Sequence, residues 1–87
     1  MNTVHYLVRF RKDSDTDWGA SIPDLPGCVA TGKTLDITLQ RIRDAMELHL
    51  LGMRAEGLDI PQPTKRSRIQ RRSYRQVDFQ VTVQFRL

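Results

Sequence analysis

Apolar and polar residues alternate at the start of the chain. Val4, Tyr6, Val8 and Phe10 fall on one side, and His5, Leu7 and Arg9 on the other. A period of two predicts a strand with one buried face. The polar run Asp13-Ser14-Asp15-Thr16-Asp17 suits a hairpin loop, so Trp18 to Ile22 becomes the returning strand. Pro23-Asp24-Leu25-Pro26-Gly27 then interrupts pairing, because each proline removes a backbone donor and Gly27 permits positive φ. Cys28-Val29-Ala30 reads as a short third strand ending at Gly32.

The period then changes. Leu35, Leu39, Ile42, Met46, Leu50 and Met53 recur at steps of three and four, one apolar face of a helix running from about Leu35 to Glu56. Thr34 supplies the N-cap, Asp36 sits where the helix dipole favours negative charge, and Gly57 followed by Pro61 and Pro63 closes the helix. Ile37, Leu48 and Leu51 lie close to the opposite side, with Arg41 and Asp44 between them. A helix packed on one sheet needs a single apolar stripe. These three are therefore either a subunit or partner contact or scattered surface aliphatics.

Val77, Phe79, Val81, Val83, Phe85 and Leu87 alternate with polar residues to the end of the chain, a long strand with one face in the core. The order β-β-β-α-β, its three opening strands joined by short turns, predicts an α+β two-layer sandwich with one long helix on an antiparallel sheet. The whole chain, residues 1–87, is expected to form one domain, with 57–75 as a Pro-containing, basic connecting segment.

Charge changes this picture in one place. The chain of 87 residues carries a net +4, but residues 1–64 hold seven basic and nine acidic side chains, whereas 65–87 hold seven basic ones and only Asp78. Six of the eleven residues from Lys65 to Arg75 are basic: Lys65, Arg66, Arg68, Arg71, Arg72 and Arg75. Such a run could neutralise phosphates and bind nucleic acid, or it could be a solvated linker. Only Tyr74 interleaves with it, which does not make a base-stacking platform.

The remaining chemistry is sparse. A chain this short excludes a multidomain enzyme. Asp13, Asp15 and Asp17 resemble the opening of a calcium loop, but Trp18 and Asp24 occupy the positions where such a loop needs glycine and glutamate. His5 and His49 have no partner at ligand spacing, and Cys28 lacks a neighbouring base or cation, so it reads as a buried structural thiol. No phosphate loop, nucleophile elbow, metal site or cofactor motif is present. A single cysteine, the lack of a basic and apolar leader at Met1-Asn2-Thr3-Val4-His5 and the lack of a long apolar run predict a cytoplasmic protein that is not membrane-bound.

The stretch from Trp18 to Gly32, centred on Pro23-Asp24-Leu25-Pro26-Gly27-Cys28, resembles the signature of the HicB family of antitoxins. The Thr34-capped helix with Asp44-Ala45-Met46-Glu47-Leu48-His49-Leu50 follows at the family's distance, and Gly57 with Ile60-Pro61-Gln62-Pro63 is similar to its usual ending. The resemblance covers roughly residues 4 to 64. It implies a partial ribonuclease-H-like sandwich without catalysis, and an antitoxin of a type II toxin–antitoxin system. Its partner would be a HicA-like toxin, a small basic ribonuclease that cleaves mRNA. Asp13, Asp15, Asp17 and Asp24 are the acidic positions that could face such a toxin. Family members usually continue into a domain that binds their own promoter, and this chain is expected to lack it. Two rivals remain: a small nucleic-acid-binding module using Lys65–Arg75, and a degenerate ribonuclease using Asp17 and Asp24. A homo-oligomer, dimer or tetramer, is expected through Ile37, Leu48 and Leu51 or through edge pairing of the terminal strand.

Overall fold

The computed structural model describes residues 2–12, 15–64 and 76–85, with 2, 3 and 76–85 described as backbone. Four strands, β1 (Asn2–Arg11), β2 (Trp18–Ser21), β3 (Val29–Gly32) and β4 (Gln76–Phe85), form one antiparallel sheet in the order β3-β2-β1-β4. One helix, α1 (Leu35–Ala55), packs against it. The two-layer α+β sandwich expected from the alternation is the fold observed. Asp13 and the basic residues Lys65, Arg66, Arg68, Arg71, Arg72 and Arg75 lie outside the described residues.

β1 is the spine of the sheet. It pairs with β4 along its whole length, from Asn2 opposite Phe85 to Arg11 opposite Gln76. That register sets Val4, Tyr6, Val8 and Phe10 opposite Val83, Val81, Phe79 and Val77, so these positions of the two strands share one face of the sheet. On its other flank β1 pairs with β2, Phe10 opposite Ala20, and β2 with β3, Ala20 opposite Ala30. β3 and β4 are the two edges.

The core lies between this face and α1. Tyr6, Val8, Phe10, Ala20, Ile22, Leu25 and Cys28 meet Ile42, Met46 and Leu50, all buried. Thr38, also on the inner face of the helix, satisfies its hydroxyl by donating to the Thr34 carbonyl at 2.8 Å. Thr34 is the N-cap: its Oγ1 accepts from the Ile37 N–H at 3.1 Å. At the other end Gly57 adopts φ of 74°. The Leu58 and Gly57 N–H groups donate to the Met53 and Arg54 carbonyls at 2.9 and 3.0 Å, a Schellman closure that needs a left-handed residue at this position.

Candidate protein-binding site

The Pro23–Cys28 turn is built from the inside. Ile22 and Cys28 close it, the Ile22 N–H reaching the Cys28 carbonyl at 3.3 Å. Within it the Leu25 N–H donates to the Ile22 carbonyl at 2.9 Å and the Cys28 N–H to the Leu25 carbonyl at 3.0 Å. Gly27 stands at φ of 88°, the positive value its place in the turn demands. Leu25 and Cys28, three residues apart, point into the core and anchor the turn, while Pro23 and Pro26 are exposed. Burial pushes the Cys28 thiol above its ordinary pKa, which keeps it protonated and unreactive near neutral pH.

Asp24 performs a task the sequence did not disclose. Its carboxylate accepts the Thr64 backbone N–H at 2.8 Å and the Thr64 hydroxyl through its second oxygen. A parallel link lies beside it: the Tyr6 hydroxyl donates to the Pro61 carbonyl at 2.5 Å. Burial first, and the negative charge of Asp24 second, raise the Tyr6 phenol above its ordinary value. The turn and β1 thus hold the segment that leaves α1 by two side-chain-to-backbone bonds. Neither pairing follows a sequence period, since the partners are 40 and 55 residues apart.

The acidic candidates are not one cluster. Asp15 and Asp17 are exposed on the β1–β2 hairpin, whereas Asp24 follows the other end of β2 and is half-buried. Four residues of strand set the two ends about 13 Å apart. Among the described residues no three His, Cys, Asp or Glu side chains come together as a metal site. On the hairpin, the Lys12 ammonium lies 6.0 Å from the centre of the half-buried Trp18 ring, a weak cation–π contact.

The helix presents the third group. Leu48 is 73% exposed, Leu51 46% and Ile37 42%, on the side of α1 away from the core. Between them the Arg41 guanidinium donates to the Thr31 carbonyl at 2.9 Å, and Asp44 accepts from the Gln40 amide at 3.1 Å. No helix among the described residues is long and apolar enough to cross a membrane.

Comparison with known proteins places the fold. The chain is 36% identical over 47 residues to a UPF0150 protein of Archaeoglobus fulgidus, a match covering 54% of this chain and 68% of the relative. The fold superposes on the N-terminal domain of the Burkholderia pseudomallei antitoxin HicB with a TM-score of 0.80, covering 94% of this chain and 100% of that one at 21% identity. It also superposes on a chain of a HicA3 and HicB3 toxin-antitoxin complex, with a TM-score of 0.61, 75% of this chain and 76% of that one covered, at 23% identity. At these identities the structural likeness carries the fold. Residues 6–84 match the profile described as HicB_like antitoxin of bacterial toxin-antitoxin system, and this chain belongs to that family of HicB-like antitoxins.

Proposed function

We propose that this chain is the antitoxin of a type II pair and neutralises a small, basic, HicA-like ribonuclease by binding it. The match of residues 6–84 to the antitoxin family carries this reading. The likeness of the fold to a chain of a HicA3 and HicB3 toxin-antitoxin complex supports it. The antitoxin contributes no chemistry: it covers the toxin and denies it the mRNA, in the cytoplasm where that mRNA lies. Asp15 and Asp17, exposed on the hairpin, are the acidic groups offered to a basic partner, while the carboxylate of Asp24 is engaged with Thr64. Opposite charge speeds encounter more than it tightens the final complex.

Growth tests this directly. Inducing the small open reading frame beside this one is expected to arrest cells, and co-expression of this chain to restore growth. Arrest that persists despite a soluble, co-expressed chain overturns the reading. A second reading, nucleic-acid binding through Lys65–Arg75, rests on the density of positive charge in that segment. Affinity for duplex DNA and RNA that falls steeply with salt would support it, and a flat dependence would remove it.

A further inference from the structure

The outer face of α1 has an order that toxin binding leaves unexplained. Ile37, Arg41, Asp44, Leu48 and Leu51 follow one another at steps of 4, 3, 4 and 3. That is the 3.5-residue repeat of a seam between two helices, set on the side of α1 where Ile37, Leu48 and Leu51 are exposed. The inner face needs no such repeat, because its Thr38, Ile42, Met46 and Leu50 already lie against the sheet.

The order is also self-complementary. From the N-terminus it reads aliphatic, cation, anion, aliphatic; from the C-terminus it reads aliphatic, anion, cation, aliphatic. A second α1 laid antiparallel across the first, about a two-fold axis between Arg41 and Asp44, sets Ile37 against the second copy's Leu48. It sets Arg41 against the second copy's Asp44, and both contacts recur on the other side of the axis. A two-fold interface requires this reciprocity of one patch with itself. A parallel pair would instead set Arg41 on Arg41 and Asp44 on Asp44, which like-charge repulsion disfavours. Leu51 extends the stripe toward Thr34 of the opposite helix, and the exposed Gly52 presents no side chain there.

The charged pair is available for this role. Arg41 uses one of its five donors on the Thr31 carbonyl, which holds the guanidinium toward the β3 side of the helix. Asp44 uses one oxygen on Gln40. We propose that the outer face of α1 is a homodimer contact, a second copy of this chain docking antiparallel through reciprocal Ile37–Leu48 and Arg41–Asp44 pairs. The seam from Ile37 to Leu48 is about 16 Å long, shorter than a standard stable interface, so the dimer is expected to dissociate in the micromolar range.

Sedimentation equilibrium of the intact chain over a series of concentrations tests this, with circular dichroism confirming that each surface variant stays folded. The native chain is expected to move from monomer to dimer, and Leu48→Glu to remain monomeric. Arg41→Glu alone and Asp44→Arg alone each set two like-charged pairs across the axis and are expected to weaken the dimer about tenfold or more. The two together restore opposite charges, and the dimer is expected to return to within about threefold of native. A chain that stays monomeric throughout overturns the proposal. So does a dimer indifferent to Leu48→Glu, which places the contact elsewhere, on the β4 edge for example. Failure of the double variant to restore a dimer that both single variants weaken removes the antiparallel register.

Discussion

The Pro23–Cys28 turn and the outer face of α1 both hold residues that stand out in the sequence, and the structure treats them in opposite ways. In the turn, Leu25 and Cys28 enter the core and the Asp24 carboxylate is taken up by Thr64. On the helix, Leu48 and Leu51 stay at the surface, and Asp44 is bound by its neighbour Gln40, four residues away. A distinctive motif is therefore not in itself a binding surface. The turn is distinctive because several structural demands meet in six residues. The helix face, with no unusual residue, is where side chains remain for another molecule to meet.

The sharpest way to break this comparison is to make one substitution in both places. Leu25→Ala removes a side chain that is 1% exposed, and is expected to destabilise the fold by about 2–5 kcal/mol through lost burial and the cavity left behind. Leu48→Ala is expected to change monomer stability by no more than roughly 0.5 kcal/mol. Urea unfolding of both variants, at concentrations below self-association, measures the difference. Equal costs would mean that Leu48 is covered within the monomer and that the outer face is not a free surface.

The elements themselves could be read from the sequence because each has its own period. Alternation placed β1 and β4, and steps of three and four placed α1 within a residue of its observed ends. Two glycines were also readable, since Gly27 and Gly57 follow the places where a turn and a helix must reverse, and both adopt positive φ. The neighbour of β4 was not, because alternation tells which face a residue occupies and is silent on which strand lies beside it. The role of Asp24 was hidden for a related reason. Its partner Thr64 lies beyond a whole helix, and a carboxylate inside a proline-containing turn reads equally as a surface charge. The pattern on α1 was visible as three extra aliphatics. Its antiparallel symmetry emerges only once the helix ends and the exposed side are fixed.

A second pair of substitutions extends the comparison to charge. Asp24→Ala leaves the part-buried Thr64 N–H and hydroxyl without their acceptor, and is expected to cost about 1–3 kcal/mol. Thr64→Val removes only the hydroxyl and is expected to cost about 0.5–1.5 kcal/mol. Asp44→Ala loses one exposed contact to Gln40 and is expected to stay within roughly 0.5 kcal/mol. The same unfolding measurement ranks the three. If Asp24→Ala proved as mild as Asp44→Ala, the tie to Thr64 would contribute nothing to the fold, and Asp24 would again be open to a partner.

The smallest effect belongs to Tyr6, where the same junction becomes sensitive to pH. Burial and then the charge of Asp24 raise its phenol above the ordinary value, so the folded state favours the protonated form. The sign follows from linkage: this contribution is complete below about pH 10, where an unfolded tyrosine titrates, and is lost as pH rises through the folded value. The native curve alone does not isolate the effect. The difference between native and Tyr6→Phe does. Tyr6→Phe is expected to lose about 0.5–1.5 kcal/mol at neutral pH with the Pro61 hydrogen bond, and to lose stability less steeply above pH 10. Asp24→Asn removes the negative charge that helps raise the phenol and is expected to flatten the same alkaline limb in part. Parallel curves for native and Tyr6→Phe above pH 10 would contradict the assignment. They would mean that the phenolate finds water as easily in the folded chain as in the unfolded one, and that the turn end is open where the structure has it closed.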